Sequence, residues 1–287
     1  MKTSNAILGI SIVLFTFIVG FFFYKHNFID VKQESYSTHK YTIKNTHVLP
    51  DILNEVSGIA WINENTFACI QDEDGYIFIY DIKINSILKT IKFAGHGDYE
   101  AIAIHNNDAY VLRSDGLIYA LSNYNTKAIK TSKIKTVFDA DNNMESLTFD
   151  TQNNQLLISP KDKDLGPKHL RSVYKIPLDT KTVDTIPVFS VNLKSEILKD
   201  FKHKHIRNTL CPSEIAVHPM TQDIYVLEGK NPKLIILNNE GIIKNAIKLN
   251  KKQFAQPEGL TFSDDGRLFI SNEADNGNAN ILEVVLE

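Results

Sequence analysis

The sequence predicts an all-β fold, a β-propeller of about five four-stranded blades with six as the alternative, preceded by one N-terminal transmembrane helix. Three observations lead there. A four-residue motif recurs five times, each copy is followed by short β-rich runs separated by turn residues, and the last copy is one strand short of a full blade. Repetition at 40 to 50 residues is the signature of a propeller or an array, because each unit is one small sheet that buries its faces only against its neighbours.

The motif copies are Ser57-Gly58-Ile59-Ala60, Glu100-Ala101-Ile102-Ala103, Glu145-Ser146-Leu147-Thr148, Ser213-Glu214-Ile215-Ala216 and Glu258-Gly259-Leu260-Thr261, at spacings of 43, 45, 68 and 45 residues. Each has a polar first residue, a small or polar second, then Ile or Leu and Ala or Thr. After the first copy come TFACIQ (66–71), YIFIYDI (76–82) and ILKTIKF (87–93); AYVLRS, LIYALS and AIKTSKI follow the second. Asp74-Gly75, Asp115-Gly116, Glu240-Gly241 and Asp265-Gly266 lie between such runs and read as hairpin turns, since glycine tolerates the positive φ these turns require.

The spacing of 68 exceeds the others by about half a blade. It contains the polar stretch Lys161–Lys168 and the helix-like SEILKDFKHKH from Ser195, so it reads as an insertion (about 195–207). A sixth blade hidden there is the competing reading. The last copy has only LTFS, LFISNE and NILEVVL after it, and YTIKNTHVL (41–49) is the expected missing outer strand, joining the two ends of the domain in one blade.

Residues 6–24, AILGISIVLFTFIVGFFFY, carry no charge. At ~1.5 Å per residue such a run spans ~28 Å, close to the ~30 Å hydrocarbon core of a bilayer. It ends in FFFYKH without small residues suited to signal cleavage, so an uncleaved anchor is expected, with a cleaved signal peptide as the alternative. The organisation is then a flank (1–5), an anchor (6–24), a polar linker (25–40) and the propeller (41–287), expected outside the cytoplasm.

With 31 Lys+Arg against 34 Asp+Glu the net charge is −3, which lacks the basic excess of a nucleic-acid binder. Cys69 and Cys211 lack metal-ligand spacing. His203 and His205, two apart on the expected helix, face different ways. With Lys199, Lys202, Lys204 and Arg207 they form a basic patch suited to an acidic partner or lipid headgroups, or simply to solvent. His105 and His218 end their inner strands opposite the glutamates. Nucleophile elbows and phosphate-binding glycine loops are absent from the sequence.

If the motif strand is innermost, its first residue lies at one mouth of the central channel, where the next strand also ends. Glu100, Glu145 and Glu258 are thereby brought together with Gln71, Asp72, Arg113, Lys161, Glu228, Asn272 and Glu273. Converging carboxylates repel unless a cation, an arginine or protons compensate them. Hard oxygen donors favour Ca²⁺ or Mg²⁺ over zinc, and Arg113 offers a metal-free solution. A strand-start glutamate can equally serve to accept backbone N–H bonds from the next blade. Asp139-x-Asp141-x-Asn143-x-Glu145 resembles the start of a calcium loop but has Met144 where a glycine belongs, and reads better as a solvated loop.

VSGIAW, DYEAIAI, NMESLTFD, CPSEIAVHP and QPEGLTFSDDGRLFISNEAD, behind an N-terminal apolar segment, resemble the SdiA-regulated (YjiK-like) family of bacterial propeller proteins. The resemblance implies a membrane-associated or exported propeller in which calcium binding is plausible, and it supplies no catalytic residues. Ser57 and Ser213 stand where the other copies have glutamate. The expected function is a noncatalytic cell-envelope module binding a cation and a small ligand or protein; a metal-dependent lactonase or phosphoesterase and a structural scaffold are the alternatives.

Overall fold

The computed structural model describes residues 41–275 and 277–287. The apolar segment 6–24 and the linker 25–40 lie outside the described residues. Among the described residues no helix is long and apolar enough to cross a membrane.

Among the described residues twenty strands form five four-stranded antiparallel sheets. Blade 1 is β2 (Val56–Asn63), β3 (Thr66–Gln71), β4 (Asp74–Asp81) and β5 (Ser86–His96), and blade 2 is β6 (Tyr99–His105), β7 (Asp108–Arg113), β8 (Ile118–Ser122) and β9 (Lys130–Ile134). Blade 3 comprises β10 (Met144–Asp150), β11 (Gln155–Pro160), β12 (Leu170–Pro177) and β13 (Asp184–Asn192); blade 4 comprises β14 (Glu214–Val217), β15 (Ile224–Glu228), β16 (Lys233–Leu237) and β17 (Ile243–Lys248). Blade 5 joins β18 (Pro257–Phe262), β19 (Leu268–Asn272) and β20 (Asn280–Leu286) to β1 (Tyr41–Val48). The closing pair runs from Tyr41 opposite Leu286 to Val48 opposite Asn280. No sixth sheet exists among the described residues.

Among the described residues five buried apolar clusters alternate with the blades, each built from two adjacent sheets. Phe67, Phe78 and Tyr80 of blade 1 meet Phe269 and Ile281 of blade 5 in one; Leu112 and Ile118 of blade 2 meet Leu156 and Tyr174 of blade 3 in another. A blade alone would leave both faces wet, so each sheet buries its faces only against its neighbours, and ring closure completes the cluster between blades 5 and 1.

Turn chemistry is partly as expected. Gly116, Gly241 and Gly266 hold φ near +80° in their turns. Asp74-Gly75 differs, lying within β4 rather than in a turn. Gly75 is instead needed for close approach, since a Cβ there would stand 2.7–2.9 Å from Ala94 atoms. The β3–β4 turn is made by Asp72-Glu73, with Gln71 Oε1 accepting the Glu73 N–H at 2.6 Å.

The additional length before blade 4 lies in the β11–β12 loop and in residues 193–213. Residues 195–207 are not one helix. They form two 3₁₀ helices, Glu196–Phe201 and Ile206–Thr209, with His203 and His205 on the connection between them. Helical segments this short are not self-sustaining. Leu198 and Leu210, buried between blades 3 and 4, hold this one. The Arg171 guanidinium, 2% exposed, staples it by donating to the carbonyls of Leu210 (3.1 Å), Arg207 (3.2 Å), Pro160 (3.1 Å) and Asp162 (2.9 Å).

Candidate functional site

Four of the five motif strands begin with a β-bulge at the first motif residue, β14 being the exception. In β6 the register passes from Tyr99–Arg113 to Ala101–Leu112, leaving Glu100 unpaired; Glu145 and Glu258 are bypassed in the same way, as is Ser57. Ser213 precedes β14, its N–H bonded to the Leu227 carbonyl that also faces Glu214. A bulge re-aims the extra side chain out of the ladder. In those four blades the motif's polar first residue is thus the one the backbone turns away from its own sheet.

The second motif position meets the adjacent inner strand. A Cβ on Gly58 would stand 3.1 Å from the Ala101 Cα and the Ile102 N, and one on Gly259 would stand 2.9 Å from the Ile59 N. Glu214 occupies this position in blade 4. Its Oε1 accepts the N–H groups of Leu147, in blade 3, and Ile215, both at 2.8 Å. Burial raises its pKa well above the usual carboxyl range, against these two bonds.

Glu100, Glu145 and Glu258, from blades 2, 3 and 5, lie close enough to perturb one another, and the ammonium of Lys161 stands among them, paired directly with Glu145. Glu145 Oε1 also accepts from Asn143 Nδ2 at 3.0 Å. Burial, then Glu145, Asp98 and Glu258, push Glu100 up to about 9, with Lys161 opposing. Burial pushes Glu145 to about 8 against the pull of Lys161, with Glu258 raising it further. Glu258 rises to about 7 through burial and Glu273, opposed by Lys161 and the nearby Ser213 hydroxyl. For Glu273 the causes are burial, Glu55 and Asp72, and it too reaches about 7. Burial alone would lower the Lys161 pKa; Glu145, Glu258 and Glu100 outweigh it and hold the ammonium above the usual lysine range.

The remaining expected rim residues divide. Asp72 lies beside Glu55, Glu73 and Asp98, its pKa raised by burial and by them. Arg113 is not the counter-charge of the glutamates: its guanidinium binds Asp115 through Nε at 2.9 Å and Nη2 at 2.5 Å, a bidentate clamp over the β7–β8 turn. Glu228, fully buried, is taken up by Lys233 Nζ (2.5 Å), the Cys211 N–H (2.9 Å) and Asn231 Nδ2 (3.2 Å). Ser57 and Ser213 donate to the next blade instead of widening the rim, to the Tyr99 carbonyl at 2.6 Å and the Pro257 carbonyl at 3.0 Å. Each of those carbonyls belongs to the residue before a rim glutamate.

Two contributors escape sequence reasoning. Lys161 is legible as a strand-end residue but not as the central cation, and its one signal is its place directly after β11. Gly229 lies against the Glu258 carboxylate, where a Cβ would stand 2.7 Å from Oε1. The Asp139–Glu145 stretch is a hydrogen-bonded loop, with the Asp141 N–H on Asp139 Oδ1 at 3.0 Å and Asp141 paired with Lys163 at 3.1 Å. His105 stacks on Phe149 with ring centroids 3.9 Å apart, and His218 Nδ1 accepts the Met220 and Thr221 N–H groups at 3.2 Å.

A closed ring with carboxylates from three blades at one channel mouth defines a five-bladed propeller with an acidic rim. The family model for SdiA-regulated proteins matches residues 32–276, and the chain belongs to that family. No curated protein matches the sequence. Among solved structures, the glutaminyl cyclase of Myxococcus xanthus superposes with a TM-score of 0.60 at 12% identity, over 87% of this chain and 97% of that one. A PQQ-bound aldose sugar dehydrogenase from Streptomyces coelicolor gives 0.52 at 12% identity, over 87% and 98%. At these identities the likeness concerns the fold alone.

Proposed function

We propose that this propeller is a noncatalytic, membrane-anchored binding module of the cell envelope, and that its channel mouth recognises a cation. One observation carries the reading: four carboxyls, Glu100, Glu145, Glu258 and Glu273, share the single ammonium of Lys161, and all four are held well above the usual carboxyl range. The cluster lacks positive charge, which protons or a bound cation supply. Asp72 Oδ1 and Asn272 Oδ1, at the same end of the ring, are buried acceptors with no hydrogen-bond partner, a further shortage of donors.

The donor chemistry suits Ca²⁺ or Mg²⁺, since it is all carboxylate and amide oxygen. The arrangement does not present a ready metal site. Among the described residues no group of three or more His, Cys, Asp or Glu side chains stands poised to hold a metal ion, and Glu145 is already paired with the Lys161 ammonium. A divalent ion bound by Glu100, Glu145 and Glu258 therefore competes with that ammonium for Glu145. The test follows directly. Millimolar Ca²⁺ should raise the melting temperature of the parent, Glu258→Gln should abolish the rise, and Lys161→Met should enlarge it. If Ca²⁺ moves neither parent nor Lys161→Met, the metal reading fails and the glutamates are structural.

A hydrolytic alternative rests on Glu258 and Glu273, whose carboxyls, titrating near 7, lie in the range of a general base. Turnover of a lactone or phosphoester panel, lost in both Glu258→Gln and Glu273→Gln, would favour it over the binding module.

A further inference from the structure

We propose that the pocket between the 3₁₀ insertion and blade 4 is a binding site for a phosphate-bearing anion. The cavity, of about 730 Å³, is bounded by four separate stretches of chain: Tyr41, residues 200–208, residues 230–233 and residues 248–251. That size falls within the usual range for small-molecule sites. Lys202, Lys230, Lys233, Lys248 and Lys251 all line it, and Asp200 is the one lining carboxylate among the described residues. Set against a whole-chain charge of −3, the excess is a local feature of this pocket.

The floor and the rim of the pocket differ in kind. On the floor Lys233, 1% exposed, is neutralised by Glu228 at 2.5 Å, fixed by the Asn231 carbonyl at 3.2 Å and covered by the Phe201 ring, whose centroid is 5.6 Å from Nζ. This buried pair also holds the Cys211 N–H, so the wall formed by the insertion is tied to blade 4. The opposite wall is set by Tyr41, whose hydroxyl donates to Gln253 Oε1 and accepts the Asn250 N–H, both at 2.9 Å. On the rim Lys230, Lys248 and Lys251 are exposed and no carboxylate of the described residues pairs with them, while Lys202 shares Glu196 at 3.4 Å. Three unneutralised ammonium groups around a preformed concavity suit a compact multivalent oxyanion, and Phe201 and Tyr41 offer aromatic surface to its organic part. A phosphate on a soluble metabolite and the phosphate of a lipid headgroup share this chemistry.

The experiment uses the full chain in detergent or in vesicles, with glycerol 1-phosphate as the soluble probe, followed by calorimetry. Co-sedimentation with phosphatidylglycerol–phosphatidylcholine vesicles is the lipid arm. Lys230→Glu/Lys248→Glu/Lys251→Glu reverses the rim and leaves the buried pair intact, and Lys127→Glu/Lys130→Glu/Lys135→Glu reverses three exposed lysines of blade 2 as a control. Saturable binding that weakens about tenfold or more in the rim variant, and less than about twofold in the control, is expected, tenfold being the scale of one charge-assisted hydrogen bond. Loss in the calorimetric arm identifies a soluble phosphate, and loss confined to the phosphatidylglycerol arm identifies a headgroup. No saturable binding of either probe by the parent, or equal loss in both variants, overturns the proposal.

Discussion

Replacing Lys161 by Met keeps the aliphatic stem and removes the one positive charge among Glu100, Glu145, Glu258 and Glu273. Breaking a buried ion pair costs about 3–5 kcal/mol when the remaining charge is left unpaired. Here the lysine side chain is 22% exposed and that of Glu145 7%, so the lower end applies, about 3 kcal/mol with the glutamates ionised. The cost depends on pH because the carboxyls can take up protons instead. For a carboxyl raised on folding, the native state holds a proton that the unfolded state has released, so stability is full below the unfolded value near 4.5 and is lost as pH rises through the folded value. With folded values of about 7 for Glu258 and Glu273, 8 for Glu145 and 9 for Glu100, the parent should lose stability between pH 5 and 9. Lys161→Met should add a loss of about 1 kcal/mol or less at pH 5.5, growing to about 3 kcal/mol at pH 9. For a domain of this size the difference is roughly 4–8 °C in melting temperature. Urea denaturation at both pH values, extrapolated to water, measures it. An equal destabilisation at the two pH values would refute the claim that Lys161 acts as the counter-charge of this cluster.

Other predictions address the frame. Deleting residues 41–49 removes β1 and leaves β20 with an unpaired edge, so the melting transition should broaden or fall by ten degrees or more, on the order of several kcal/mol for a domain of this size; calorimetry of the truncated chain checks it. Glu214→Ala leaves the Leu147 and Ile215 N–H groups without an acceptor and should cost about 1–3 kcal/mol, whereas Glu214→Gln keeps an oxygen there and should cost under about 1 kcal/mol in the same denaturation assay. Membrane anchoring through residues 6–24 requires the chain to stay in the pellet on carbonate extraction and its propeller to be digested by protease added to spheroplasts. Release into the supernatant, or protection from protease, counts against it.

Blade count, strand order and ring closure were legible from the sequence because they depend on local patterning. Motif spacing, alternating strands and glycine turns survive as one-dimensional signals, and the strand missing from the last copy has an obvious donor in YTIKNTHVL. The convergence of Glu100, Glu145 and Glu258 was legible for the same reason, since equivalent positions in a ring share one end of the channel. What each polar group does there was decided by tertiary contacts. Arg113 is held by Asp115 two residues away, whereas Lys161, at the equivalent strand end of another blade, pairs with Glu145 across the hairpin and reaches the glutamates. Ser57 and Ser213 resemble gaps in a carboxylate ring until the next blade brings the Tyr99 and Pro257 carbonyls within hydrogen-bonding distance. Glu214 reads as the second residue of a motif and becomes an interblade acceptor only because β10 lies alongside. Repetition specifies where side chains arrive, whereas Ser57, Ser213 and Glu214 find partners 42, 44 and 67 positions away in a neighbouring blade, and only the packing of blade on blade brings those together.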